Sequence, residues 1–288
     1  MTVEEFSVDR GPYALTTGPD GALWFTLVHS GRIGRLMPGQ EPVTYPVSPQ
    51  SGPTIITAGP DGALWFTEYQ GHRIGRITVD GEVTEFELPT PECGPFGITA
   101  GPDGALWFTM TAADRVGRIT TDGKVTEFDL PVSGAFASAI TAGGDGGLWF
   151  ALNQGNAIGR IGTDGAIAVH PLPTEGAAPV GIAAGPDGAV WFVEIGAGQI
   201  GRITPDGAIE EFPLPNRAAR PHAVVVDGDG TPWFTEWGAN RVARIAADGT
   251  VTGYDLPTPK SEPHGIAVGP DGALWTALEF GALARITR

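Results

Sequence analysis

The stretch Gly59-Pro60-Asp61-Gly62-Ala63-Leu64-Trp65-Phe66-Thr67 decides how this chain folds, because close copies of it recur along the whole sequence. The tryptophan at its centre returns at positions 24, 65, 107, 149, 191, 233 and 275, at one interval of 41 and five of 42 residues. Downstream of each copy come versions of Arg-Ile-Gly-Arg-Ile, then in most units Asp-Gly, then versions of Val-Thr-Glu-Phe-x-Leu-Pro. A period of this length with several short strands per unit is the pattern of a β-propeller blade. A β-sandwich would have no need of so many near-identical tryptophan units.

The second unit predicts strands over about 54–58, 63–68, 73–78 and 83–88. Asp61-Gly62 and Asp80-Gly81 mark tight turns, since glycine takes positive φ without a steric penalty. Pro89 and Pro91 end the fourth strand because proline cannot donate to a ladder. Val83-Thr84-Glu85-Phe86-Glu87-Leu88 alternates with period two, and no window carries a sustained helical period. The last unit has three strands and no fourth, while Val3-Glu4-Glu5-Phe6-Ser7-Val8 has the character of the missing one. The expectation is an all-β, seven-bladed β-propeller of four-stranded antiparallel blades. It forms a single domain over 1–288, its last blade closed by the N-terminal strand.

The 288 residues carry a formal net charge of −16, which disfavours nucleic acid and anionic membranes as partners. The lone Cys93 rules out an internal disulfide and fits a reducing compartment; with no histidine or second cysteine near it in sequence, it reads as a loop residue. Residues 1–6 lack the basic and apolar segments of a signal peptide, and no apolar run approaches the roughly 18 residues of a membrane helix. These features point to a cytoplasmic monomer.

Chemistry is expected where the repeats disagree. The position eleven residues before each tryptophan holds Tyr13, Thr54, Phe96, Ser138, Val180, His222 and His264. This is the start of the innermost strand, at one mouth of the channel, and its variation suits a ligand-facing ring. His222 and His264 stand in adjacent units at one register, and a near-neutral imidazole suits a general base. His29, His72 and His170 read as surface residues, and the recurring Glu68, Glu194 and Glu236 as structural. The seven repeated tryptophans read as packing between blades, but Trp237 lies outside their register and could line the mouth.

The last hairpin adds Glu262 and Glu279 to His264. A two-residue turn at Asp271-Gly272 would set His264 opposite Glu279; a four-residue loop at 269–272 would set Glu262 there instead. Regular alternation would put Glu262 and His264 on one face. Opposed carboxylates repel, and a divalent cation such as Mg²⁺ would relieve the cost; two solvated glutamates are the alternative. No P-loop, dinucleotide fingerprint, nucleophile elbow or cysteine zinc site is evident.

The chain as a whole resembles the virginiamycin B lyase, or streptogramin B lyase, family of seven-bladed propellers. The specific residues are Pro221-His222, Glu262-Pro263-His264 and Glu279. The resemblance implies that His264 is the proton acceptor, that Glu262 and Glu279 bind Mg²⁺, and that His222 contacts a small cyclic depsipeptide substrate. It implies elimination at a threonyl ester, without hydrolysis, and hence antibiotic resistance. The last unit is one residue shorter after Trp275 than its counterparts, which leaves the alignment of Glu279 to be tested. Other readings are a non-catalytic propeller similar to NHL-repeat binding modules, and a metal-dependent lactonase-like hydrolase.

Overall fold

The computed structural model describes residues 1–246 and 248–287; Arg288, the last residue of the expected domain, lies outside them. Each repeat becomes one four-stranded antiparallel sheet, and seven such sheets form the ring. Blade 2 consists of Pro53–Ala58, Leu64–Glu68, Arg73–Ile77 and Val83–Glu87, within a residue or two of the expected spans. No α-helix occurs among the described residues, only a 3₁₀ turn at Trp237–Ala239.

The recurrent turn works through glycine. In blade 2, Gly62 N–H bonds to the Gly59 carbonyl, Gly59 N–H bonds to the Ala63 carbonyl, and Gly62 sits at φ +75°. This is a three-residue hairpin loop whose last residue is left-handed. Asp61 then ties the hairpin to the blade. Its Oδ1 accepts the Trp65 indole N–H at 3.0 Å and its Oδ2 the Arg76 Nε–H at 2.7 Å. Arg76 lies 5.9 Å from the Trp65 ring, and Phe86 stacks on the same ring at 5.4 Å. Trp65 is fully buried and packs with Ile98, Leu106 and Ile119 of blade 3, so the tryptophans do pack between blades.

The ring closes as the sequence predicts. Thr2–Ser7 pairs antiparallel with Ala282–Thr287, from Thr2 opposite Thr287 to Ser7 opposite Ala282. Phe6 seats its ring 5.2 Å from Trp275 and lines an apolar cleft of about 320 Å³ between blades 7 and 1, together with Leu23, Leu36 and Met37.

The three recurring glutamates lie inside the wall. Glu194 is fully buried, takes a 2.6 Å hydrogen bond from Gln199 Nε2, and is pushed up to about 7 chiefly by burial. Glu68 is likewise buried and raised to about 7, despite the Arg73 guanidinium at 3.2 Å. Cys93 is also buried, and burial pushes its thiol up to about 11, so it is no reactive thiolate.

Two outcomes follow for stability. Phe6→Ala should cost about 2 kcal/mol in urea denaturation, since it removes a partly buried aromatic side chain from the closing strand. Glu194 is protonated more readily folded than unfolded, so its contribution is fully present below the ordinary carboxylate range and is lost as pH rises through about 7. Between pH 5 and 7 this contributes a slope approaching about 1.4 kcal/mol per pH unit. Glu194→Gln should flatten that part of the stability profile, measured by urea midpoints at several pH values.

Candidate functional site

Every blade enters its innermost strand through a left-handed residue. The position thirteen before each repeat tryptophan is left-handed in all seven blades: Gly11, Gly52, Gly94, Phe136, Ala178, Arg220 and Glu262, at φ between +50° and +86°. Three blades use glycine there, whereas four hold a side chain in a conformation that disfavours one. Asn240 braces the position in blade 7: its Oδ1 accepts the Ser261 N–H at 2.8 Å and the Ser261 hydroxyl at 2.7 Å. Two residues on, the Thr235 hydroxyl of blade 6 donates to the His264 carbonyl at 2.9 Å. The same latch links Thr26 to the Thr54 carbonyl and Thr67 to the Phe96 carbonyl. Thr54, Phe96 and His264 are thus fixed by the neighbouring blade.

The last hairpin has neither expected loop, yet it reaches the pairing of Glu262 with Glu279 that the four-residue loop would have given. Its loop is three residues, with Gly269 N–H bonded to the Ala273 carbonyl and Val268 opposite Leu274. A bulge between Pro263 and Ile266 then shifts the pairing by one residue. Glu279 N–H therefore bonds to the Glu262 carbonyl at 3.2 Å, and the two glutamates oppose each other. Glu262 is left-handed and precedes the strand, so it does not share a face with His264 by alternation, as regular geometry would have required. The shortening after Trp275 falls beyond Glu279: Leu278 pairs with Ala282 where Glu68 pairs with Arg73. Glu279 keeps its place four residues after the tryptophan.

Side chains complete what the backbone begins. Glu279 Oε2 lies 2.5 Å from His264 Nε2, and its Oε1 lies 2.9 Å from His29 Nε2. His29 is therefore not merely a surface residue, since it reaches from blade 1 across the closure to the site. His72 accepts the Gly94 N–H at 3.2 Å and His170 stacks on Trp149, so both have structural partners. His222 stands edge-on to His264 with ring centres 4.6 Å apart, and Tyr13 lies over His264 at the same separation. The Tyr13 hydroxyl is 3.4 Å from His222 Nε2, and Trp237 lies 6.5 Å from His264. His222, His264, Trp237, Arg220 and Ile195 line an open cavity of about 520 Å³.

The electrostatics separate the groups. Burial pulls His264 below the ordinary imidazole range, against the hydrogen bond and charge of Glu279 and the charge of Glu262. Burial pushes Glu279 up, but the bonds and charges of His264 and His29 outweigh it and hold the carboxyl below its usual range. Burial, with His264 nearby, pulls His222 down to about 3, so it is neutral. Burial and the Glu279 charge push the Tyr13 phenol up. A carboxylate can only accept, so His264 Nε2 must donate to Glu279; Nδ1 then carries the lone pair and has no partner among the described residues.

Among the described residues, no three His, Cys, Asp or Glu side chains gather in an arrangement that could hold a metal ion. The donor set nevertheless fits a hard cation. Glu262 and Glu279 oppose each other along the backbone at one end of the blade, and each Glu279 oxygen keeps a lone pair beyond the one facing an imidazole. Mg²⁺ uses one or two carboxylates and retains water.

The position four after each tryptophan was not singled out by reading the sequence. It holds Val28, Tyr69, Thr111, Asn153, Ile195, Trp237 and Glu279. Trp237 and Glu279, which seemed unrelated, share this register. Aligning the repeats once more at that column would have found it.

The model of the virginiamycin B lyase family matches residues 1–286 of this chain. Virginiamycin B lyase of Saccharopolyspora erythraea is 65% identical over 80 residues, which span 28% of this chain and 27% of that relative. A streptogramin B lyase structure superposes with a TM-score of 0.95 at 43% identity, covering 99% of this chain and 96% of that one. A catalytically inactive histidine-to-alanine virginiamycin B lyase from Staphylococcus aureus, in a crystal structure with quinupristin, gives a TM-score of 0.96 at 40% identity over 100% of this chain and 99% of that one. The chain belongs to the virginiamycin B lyase family.

Proposed function

We propose that this protein linearises streptogramin B-type cyclic depsipeptides by β-elimination at the threonyl ester. The observation that carries the reading is the Glu279–His264 pair at a propeller mouth, with the neutral imidazole of His222 against it. The family membership and the quinupristin complex of the staphylococcal relative support the substrate class.

In this mechanism Glu279 orients His264, whose imidazole accepts the threonine α-proton. The electron pair left on the α-carbon forms a double bond to the β-carbon as the C–O bond breaks, and the departing oxygen becomes a carboxylate. No water is consumed, so no nucleophilic serine or cysteine is required. Neutral His222 contacts the substrate from the adjacent blade, while Tyr13, with its phenol held protonated, packs over His264 and restricts its ring. Glu262 and Glu279 would hold Mg²⁺, which when bound polarises a substrate carbonyl and stabilises developing enolate charge.

His264→Ala should lower kcat by about 10²–10⁴-fold. The melting temperature should fall by a few degrees, because the change empties a buried position against Tyr13 and His222 and takes one hydrogen bond from Glu279. The decisive measurement is mass spectrometry of quinupristin treated with the protein in oxygen-18 water. A linear product of unchanged mass, free of the label, is expected. A product heavier by one labelled water would mean hydrolysis, and no product would favour a binding propeller. Glu262→Gln and Glu279→Gln should each weaken metal binding by about tenfold or more, read directly by Mn²⁺ titration under electron paramagnetic resonance as well as by activity.

A further inference from the structure

We propose that Arg220 receives the carboxylate that departs when the ester opens, an inference that rests on the elimination reading. Arg220 lines the same cavity as His222 and His264, and among the described residues it is the one permanently charged group lining that cavity. The guanidinium lies 5.6 Å from the Trp237 ring, and Trp237 lies 6.5 Å from His264, so the cation and the proposed base share one indole as neighbour. No acid pairs with it among the described residues, although nine other arginines each pair with a carboxylate.

The position itself argues for a role outside the scaffold. Arg220 occupies the left-handed site that opens each blade, at φ +50°, where blades 1, 2 and 3 place Gly11, Gly52 and Gly94. Glycine adopts this conformation without strain, whereas a long side chain does not. Glu262 occupies the same site in the next blade. The two strained positions thus present a cation and an anion from adjacent blades.

The chemistry of elimination uses such a pair. The α-proton leaves toward His264, and the C–O electron pair leaves with the oxygen of the acyl group. Both depart from neighbouring carbons of the threonine residue, so base and anion acceptor must flank the substrate within one cavity. Negative charge on the departing oxygens grows only as the bond breaks. A guanidinium matches a carboxylate with two parallel N–H donors, and an interaction that strengthens toward the transition state raises kcat more than it lowers KM. In a chain of net charge −16, that local cation also offsets the repulsion of a newly formed anion.

The test uses Arg220→Gly, which the scaffold accommodates because three other blades carry glycine there; its melting temperature should equal or exceed that of the parent. With quinupristin, kcat should fall by about 10–100-fold with KM changed less than threefold, and Arg220→Lys should recover part of the loss. A second readout needs no turnover. Quinupristin opened chemically by base gives a linear acid, which is compared with its methyl ester by calorimetry in EDTA, so that no divalent cation competes for the carboxylate. The parent protein should bind the acid about tenfold tighter than the ester, and Arg220→Gly should bind both alike. Equal binding of acid and ester by the parent, or an unchanged kcat in Arg220→Gly, would overturn the assignment. A parent protein that leaves quinupristin closed would instead overturn the elimination reading.

Discussion

Closure of the ring is the constraint on which this structure turns. Blade 7 exists only when Thr2–Ser7 pairs with Ala282–Thr287, joining segments that are 275 or more residues apart in sequence. The loop-closure entropy of so distant a pairing is set against the ladder and the contact of Phe6 with Trp275. The site lies on the seam that this pairing creates. Gly11 N–H bonds to the Glu279 carbonyl at 3.0 Å, Val8 N–H to the Gly281 carbonyl at 2.9 Å, and the His29 side chain to the Glu279 carboxylate. Glu279 is therefore positioned by both ends of the chain.

Within each blade the scaffold and the site draw on different residues. The aspartate, tryptophan and arginine that tie hairpin to strand lie away from the mouth and repeat with little change. At the mouth, the threonine latch grips only a backbone carbonyl, as Thr235 grips that of His264. Because the latch ignores the side chain, the residue it holds is free to vary. That separation lets Thr54, Phe96 and His264 occupy one structural position while the strand beneath them remains the same.

The fold was legible because its signal is repeated seven times, so errors in any one unit average out. Trp65, Asp61 and Gly62 define turn, core and period together. The site was legible chiefly as a list of residues. His222 and His264 stood out as departures from the repeat, and Glu262 and Glu279 as carboxylates close to them in the hairpin. Their geometry was legible only in part: the pairing of Glu262 with Glu279 was one of two expected, but not the loop and bulge that produce it. A three-residue loop followed by a bulge was not among the registers considered, and bulges leave no strong mark in sequence. His29 was hidden for another reason: it is 250 residues from Glu279, and the contact arises only from closure. Distance along the chain carried no hint of it.

The left-handed residue at the head of each blade shows how a repeat can be turned to chemistry. All seven blades adopt the conformation, whatever residue stands there, so the hairpin geometry imposes it and not the side chain. Glycine is the least strained occupant. Each of Phe136, Ala178, Arg220 and Glu262 costs roughly 1 kcal/mol in strain relative to that solution. For Ala178 the side chain offers little in return beyond a small contact. For Arg220 and Glu262 the charged group is held at the mouth by a backbone already fixed from both sides, by Asn240 through Ser261 in the case of Glu262. A strained but braced residue loses less conformational freedom when it meets a ligand than a residue on a loose loop would. The ring thus roots two charged side chains, of opposite sign and in adjacent blades, on backbone whose conformation is the same in every blade.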